Sequence, residues 1–256
     1  MRSHEIDYKL YGDDMQFVQI ELDPQESVVA EAGALMMMED GITMETIFGD
    51  GSEQKGLFGK ILGAGKRMAT GESLFMTVFT NTDNAKRSVS FAASYPGKII
   101  PIDLSQYNEK LICQKDAFLC AAKGVSIGVE FTKKLGTGFF GGEGFIMQKL
   151  EGDGLAFIHA GGTIFQKELQ RGERLRVDTG CLVALTKDVH YDIQLAGNVK
   201  TALFGGEGLF FATLEGPGTV WVQSLTLSRL AQRINGSAGV KTDEGSVLGG
   251  LGRLID

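Results

Sequence analysis

The sequence predicts an all-β protein with three repeated units, and this prediction has three sources. The stretch at 203–222, LFGGEGLFFATLEGPGTVWV, places apolar and β-branched runs between glycine and proline turns, which is typical of a β-hairpin. Similar stretches occur at 140–158 and 71–79, and repetition of this kind indicates a repeat architecture. The chain also has 36 glycines against four prolines, which indicates many tight turns.

The composition excludes several classes of protein. The 256 residues are 43% hydrophobic and 22% charged, as in ordinary globular proteins. A formal net charge of −7 disfavours binding to phosphate backbones, so nucleic acid is not an expected partner. The sequence lacks an apolar run of about 18 residues, and we therefore expect no membrane-spanning helix.

The cysteines and the N-terminus predict the compartment. Three cysteines are an odd number, and the opening MRSHEIDYKL has no apolar core of a signal peptide. We therefore expect a cytoplasmic protein whose thiols are free and buried.

The chain begins with two predicted strands at 5–22, where Val18, Ile20 and Leu22 alternate with polar residues as in a half-buried strand. Three related segments follow at 28–37, 112–121 and 176–185. Each precedes an alternating strand, a glycine-bearing link and the Gly-Glu pair that opens the predicted hairpin.

These repeats predict the domain organisation. We expect the N-terminal strands and the first β unit at 1–105, with a glycine-rich insertion at 49–70. The second unit is predicted at 106–170, and the third, with a short C-terminal helix, at 171–235. The helix is predicted over 228–234 with Ser228 as its N-cap. The glycine-rich residues 236–256 are expected to form a flexible tail.

The runs VDTGCLVAL and LFGGEGLFFATLEGPGTVWVQS, together with the repeats, resemble one family. It comprises the bacterial and archaeal relatives of a mitochondrial inner-membrane biogenesis protein of the altered-inheritance-of-mitochondria group, and the resemblance covers residues 5–235. It implies a triplicated fold like that of the tryptophan RNA-binding attenuation protein, with β-sandwich or double-stranded β-helix units. It also implies a family of unknown biochemical function with no catalytic residues to carry over. No N-terminal targeting segment is visible, so the mitochondrial location does not transfer.

The residues that could carry catalysis are dispersed. His4, His159 and His190 stand alone, without the close spacing of metal ligands, and we expect structural or surface roles for them. The three cysteines lie in apolar runs, where a free cysteine usually packs in the core. We therefore expect neither enzymatic activity nor a cofactor.

Repeated carboxylates are the first candidate site. Glu72, Glu143 and Glu207 each follow a glycine that opens a predicted hairpin. Around a pseudo-threefold axis they would form a three-carboxylate cluster with raised pKa values or a bound cation. Alternatively, each accepts backbone hydrogen bonds within its own turn.

Apolar residues in the glycine-rich loops are the second candidate site. If these loops emerge at one end of the molecule, their side chains would form an apolar patch for a partner or a lipid surface. Alternatively, they fold back onto the ends of the sandwich. The residues are Phe58, Phe139, Phe140 and Phe204.

Together these features predict a non-enzymatic scaffold or interaction protein that forms a homo-oligomer and has an unknown protein partner. Self-association is expected because ring-prone repeats and exposed sheet edges favour it. One alternative is a small-molecule or RNA-binding protein by analogy with the fold relative. The other is a peripheral membrane protein that binds through the glycine and phenylalanine loops.

Overall fold

The computed structural model describes residues 2–48, 75–133, 145–195 and 210–237. Within these ranges the chain forms nineteen β-strands, a few single 3₁₀ turns and one helix, α1 (Leu227–Ser237). The predicted all-β class and the short C-terminal helix are therefore confirmed. None of the described helical segments has the length and apolarity to span a bilayer.

The strands are short and follow one another through tight turns. In chain order they are β1 (Asp7–Tyr11), β2 (Phe17–Leu22), β3 (Ser27–Glu31), β4 (Leu35–Met38), β5 (Ile42–Phe48), β6 (Phe75–Asn81), β7 (Arg87–Ala92), β8 (Gly97–Asp103), β9 (Lys110–Gln114), β10 (Phe118–Ala122), β11 (Ser126–Lys133), β12 (Phe145–Glu151), β13 (Leu155–Gly161), β14 (Ile164–Leu169), β15 (Arg174–Asp178), β16 (Leu182–Thr186), β17 (His190–Leu195), β18 (Phe210–Glu215) and β19 (Gly218–Gln223).

These strands form four antiparallel sheets. Sheet A has the order β1-β2-β7-β4, and sheet B has the order β5-β6-β3-β10-β13-β8. Sheet C has the order β11-β12-β9-β16-β19-β14, and sheet D consists of β15-β18-β17. Sheets B and C therefore share one strand pattern, displaced by one repeat along the chain.

A fixed pairing rule generates this pattern. In each repeat the first strand pairs with the fourth and the fourth with the third, as in β3-β6-β5, β9-β12-β11 and β15-β18-β17. The second strand pairs with the fifth, as in β4-β7, β10-β13 and β16-β19. Sheets B and C arise where the first strand of one repeat pairs with the second strand of the next.

The predicted boundaries at 105 and 170 fall between β8 and β9 and between β14 and β15. Because sheets B and C each combine strands from two successive repeats, folding of any unit by itself stays a prediction. Three apolar clusters lie between successive sheets. Representative members are Val18, Val28 and Phe91 between sheets A and B, Val29, Phe118 and Trp221 between B and C, and Ile112, Phe145 and Leu214 between C and D.

The hairpin prediction was wrong in its pairing, although both strands are present. β18 and β19 follow each other through the turn at Gly216, but β18 lies in sheet D and β19 in sheet C. The same holds for β12 and β13. Turn residues and apolar alternation indicate that the chain reverses. They do not distinguish two strands that share a hydrogen-bond ladder from two that face each other across a core.

The start of α1 also differs from the prediction. The Oγ1 of Thr226 accepts a hydrogen bond of 3.1 Å from the backbone N–H of Arg229, which is the geometry of an N-cap bonded to the third helical residue. Thr226, not Ser228, therefore caps the helix, and Ser228 lies in its first turn. The predicted flexible tail lies outside the described residues apart from its first two positions, which end the helix.

Candidate interaction surface

The predicted site residues lie outside the described part of the chain. Phe58 and Glu72 belong to 49–74, Phe139, Phe140 and Glu143 to 134–144, and Phe204 and Glu207 to 196–209. Whether the carboxylates cluster and whether the phenylalanines are exposed therefore stay predictions. The flanking strands are described, and each segment connects two antiparallel neighbours at their paired ends, such as Phe48 and Phe75.

The buried thiols have the chemistry of core residues. Cys113 and Cys120 are fully buried and free, and Cys181 is half-buried and free of a disulfide. Burial raises the pKa of the Cys113 thiol to about 12 and that of Cys120 well above its ordinary value. Because the thiolate is the nucleophile, neither of these two buried sulfurs is poised to react near neutral pH.

Two of the histidines are held in structural positions. The Nδ1 of His4 accepts a hydrogen bond of 2.9 Å from the backbone N–H of Ser27. His159 is 4% exposed, its ring meets the Tyr95 ring edge-on at 4.5 Å, and burial lowers its pKa to about 4. His159 is therefore neutral near pH 7. Among the described residues, no group of three His, Cys, Asp or Glu side chains could hold a metal ion.

A polar network near His159 connects three repeats. The Oε1 of Gln223, at the end of β19, accepts a 2.7 Å hydrogen bond from the Gly161 N–H at the end of β13. The Nε2 of Gln223 donates to the Gly180 carbonyl at 2.8 Å. The Tyr95 hydroxyl, after β7, donates to the same Gln223 Oε1 over 3.4 Å. This network holds the ends of three strands together.

Glu31 is the described carboxylate with the largest upward shift. It ends β3 beside the junction with β10, and burial is the main cause that raises its pKa to about 7. The nearby Asp116 carboxylate adds to this effect, and Lys115 opposes it. The equivalent position in the second repeat holds the uncharged Gln114, so the carboxylate is not required by the fold.

Two strand edges break the repeat pattern. β10 and β16, the second strands of their repeats, lie inside six-stranded sheets, whereas their counterpart β4 lies at the edge of sheet A. Likewise β3 and β9 are interior, whereas their counterpart β15 is the edge of sheet D. Among the described strands, only β4 and β15 are edges where the matching strands of the other repeats are interior. We call this pair the open edges.

The β4 edge is apolar and exposed. Met36, Met37 and Met38 are 50%, 47% and 43% exposed. The residues at the same positions of β10 and β16 are at most 3% exposed; they are Leu119, Cys120, Ala121, Val183, Ala184 and Leu185. In β10 and β16 these positions have a paired strand on both sides and lie in apolar clusters between facing sheets, whereas β4 has no strand beyond it and the described clusters cover sheet A on one face.

The β15 edge is basic on its outer side. Leu175 and Val177 pack against the core between sheets C and D, while Arg174 and Arg176 are exposed. The Nε of Arg174 lies 2.7 Å from the Oε2 of Glu215, and the Arg176 guanidinium lies over the Phe211 ring at 5.1 Å. Val29 and Ile112 occupy the position of Arg176 in the other repeats, and both are buried.

The open edges have the chemistry of strand-binding sites. An edge strand presents a row of N–H and C=O groups that its own sheet does not pair, and another strand binds there through main-chain hydrogen bonds. Sequence reasoning missed Met36, Met37 and Met38 because LMMM is as apolar as the buried FLCA and LVAL of the other repeats. An available signal was Arg176, since an arginine replaces buried apolar residues at that repeat position.

Comparison with known proteins places the chain among proteins without an established function. The family model described as mitochondrial biogenesis AIM24 matches residues 8–225. An uncharacterised protein of Streptococcus pyogenes serotype M6 is 31% identical over 223 residues, which cover 85% of each chain. A crystal structure of a Streptococcus pyogenes protein is similar with a TM-score of 0.72, and the match covers 91% of this chain and 100% of that one. At 23% identity, this last similarity supports the fold alone.

The family match spans most of the chain, and the relative of known structure has the same fold. Both agree with the resemblance found in the repeated motifs. The protein belongs to the mitochondrial biogenesis AIM24 family.

Proposed function

We propose that this protein is a non-enzymatic scaffold that self-associates by strand addition at its open edges. The observation that carries the proposal is the exposure of Met36, Met37 and Met38 at positions that are buried in the other two repeats. Exposed apolar edges of this kind are where sheet proteins associate.

The free energy gained by burying the three methionines favours a weak, reversible association. Full burial of a methionine side chain contributes about 1.5–3 kcal/mol, so covering three half-exposed ones contributes roughly 2–4 kcal/mol. The loss of translational and rotational freedom costs at least about 4 kcal/mol. The methionines alone are therefore insufficient, and main-chain hydrogen bonds must add to them. We expect assembly that depends on protein concentration.

The non-enzymatic part of the proposal is supported by the described titratable groups. The Cys113 and Cys120 thiols are fully buried and protonated, and His159 is neutral beneath the Tyr95 ring. The two thiols lie in the apolar clusters between sheets, and His159 packs against Tyr95. The scaffold role needs none of them to react.

Sedimentation equilibrium over a wide range of concentration tests this function. We expect the average mass of the native protein to rise with concentration. The substitution Met37→Lys should prevent this rise, because it places a charge on the edge that a second copy must cover. Met44 in β5 is 53% exposed, which makes Met44→Lys a matched control that should associate like the native protein. A native protein that stays monomeric at every concentration, or equal effects of both substitutions, would contradict the proposal.

The two alternatives retain less support. The phenylalanine loops invoked for membrane contact lie outside the described residues. RNA binding would need a basic surface, and in the described cluster of Arg171, Arg174 and Arg176 the Arg174 side chain pairs with Glu215. Both functions stay hypotheses.

A further inference from the structure

We infer that the partner of the β4 edge is the β15 edge of a second copy of this chain. The two strands join antiparallel, with Arg176 opposite Met38 and Arg174 opposite Asp40. This inference rests on the proposed self-association and names the surface, partner and register.

Sheets A and D have the strand orders of the two complementary halves of sheet C. Sheet D, in the order β17-β18-β15, matches the half β11-β12-β9 of sheet C. The strands β4-β7-β2 of sheet A match its other half, β16-β19-β14. Placing β15 beside β4 therefore recreates the six-strand order already present twice, with β1 as an added outer strand.

The molecule already contains two junctions between the first strand of one repeat and the second strand of the next. β3 pairs with β10 through Ala30–Cys120, Val29–Ala121 and Val28–Ala122. β9 pairs with β16 through Cys113–Ala184, Ile112–Leu185 and Leu111–Thr186. Both junctions are antiparallel and have the same register. Pairing between the first strand of one repeat and the second strand of another is thus an arrangement that this fold stabilises.

The register of the third junction follows from equivalent positions. In every repeat the register between the second and fifth strands shifts at the same point. The shift lies between Leu35 and Met37 in the first repeat, between Phe118 and Cys120 in the second, and between Leu182 and Ala184 in the third. Met37 therefore corresponds to Cys120 and Ala184. The matching residue of the first strand lies seven positions earlier in each repeat: Ala30 before Met37, Cys113 before Cys120 and Val177 before Ala184. Val177 thus takes the place of Ala30 and Cys113, opposite Met37.

Opposite charges also meet when β4 and β15 are paired in this register. Counting outward from Val177 opposite Met37 places Arg176 opposite Met38 and, two residues beyond the end of β4, Arg174 opposite Asp40. The equivalent residues of the first junction, Ser27 and Lys123, are joined by a backbone hydrogen bond of 3.1 Å. Directly opposed residues of an antiparallel pair lie close enough to interact, and opposite charges there are favourable. Arg174 and Asp40 are both exposed in the single chain, and Asp40 would join the ion pair that Arg174 makes with Glu215 at 2.7 Å.

The junction is of the head-to-tail kind, because one copy offers β4 and the other offers β15. An open assembly then keeps one unused β4 edge at one end and one unused β15 edge at the other. Such contacts generate rings when the rotation closes and open chains when it does not. A two-copy limit is therefore not expected.

Disulfide trapping between two differently tagged variants tests the register. One variant carries Met38→Cys and the other Arg176→Cys, both at exposed positions where a cysteine leaves the fold intact. Mixed under mild oxidation, they should form a covalent heterodimer, whereas neither variant alone should do so. Mixing Met44→Cys with Arg176→Cys is the control and should give only background product. Asp40→Cys with Arg174→Cys provides an independent pair in the same register.

The outcomes separate this inference from the proposed function. Heterodimer from both pairs, above the Met44 control, supports the junction. If the average mass rises with concentration but neither cysteine pair gives a heterodimer, the inferred junction is overturned and the proposed scaffold function still stands. In a chain carrying both Met38→Cys and Arg176→Cys, a disulfide confined to the monomer would show closure within one molecule and also overturn the inference. A native protein that does not associate at all contradicts both proposals.

Discussion

Glu31 shows how a single half-buried carboxyl makes the stability of this fold depend on pH. Its carboxyl has a pKa of about 7 in the fold, against 4.5 for a free side chain, mainly because burial disfavours the charged form. Between these two values the folded protein binds more protons than the unfolded chain. The free energy of unfolding therefore falls as the pH rises from about 4.5 to about 7.

Replacing Glu31 with glutamine should remove this loss. The second repeat already has Gln114 at the equivalent position, so the shape is compatible with the fold. We expect Glu31→Gln to raise the free energy of unfolding by about 1–2 kcal/mol at pH 8 and to change it little at pH 4.5. Urea titrations at both pH values measure this difference. An equal effect at the two pH values would mean that charge burial is not the cause.

Among the strands, β8 and β13 approach each other so closely at one point that the backbone leaves no room for a side chain. Gly97 pairs with Gly161, and its N–H donates a 2.7 Å hydrogen bond to the Asp14 carbonyl. A Cβ at Gly97 would lie 2.0 Å from the Ala160 carbonyl oxygen, which is backbone and has little freedom to move. Glycine is therefore required here for space.

We expect Gly97→Ala to destabilise the protein by about 3 kcal/mol, because two strands must separate to admit the methyl group. Gly128 in β11 is a matched control, since a Cβ there would meet only the end of the flexible Lys149 side chain at 3.2 Å. Gly128→Ala should leave stability within about 0.5 kcal/mol of the native protein. Thermal unfolding of both variants measures the difference, and similar losses would contradict the steric account.

The sequence was sufficient to predict strands but not their neighbours. The alternation of Val18, Ile20 and Leu22 predicts a half-buried strand, and β2 has all three buried. The predicted hairpin of β18 and β19 failed because turn chemistry does not specify which sheet receives the next strand. The open edges were not predicted for the same reason, since Met37 in β4 and Cys120 in β10 occupy equivalent apolar positions.

The candidate site was less predictable than the fold. The seven predicted residues, from Phe58 to Glu207, lie in segments outside the described chain. The exposure of Met36, Met37 and Met38 depends on which strands and sheets lie beside β4, and local sequence does not specify these tertiary neighbours. Only the comparison of three repeats identifies what is missing.

At the scale of the whole molecule, three sandwiches lie between four sheets, and the two outer sheets each lack the half that the other provides. In β2 of sheet A one face is buried and the other half-buried, whereas β10 and β16 are buried throughout. The chain is thus an unclosed series of repeats. The proposed scaffold function would depend on the number of copies that the open edges connect.

Hydrogen exchange measured at increasing protein concentration tests this central claim most directly. Backbone amides of β4 and β15 should become more protected as the concentration rises, because in the proposed assembly they pair with each other between copies. The edges β5 and β17 should be unaffected, since their counterparts in every repeat are also edges. Unchanged exchange in β4 and β15 at the highest concentration, or equal protection of β17, would contradict the account.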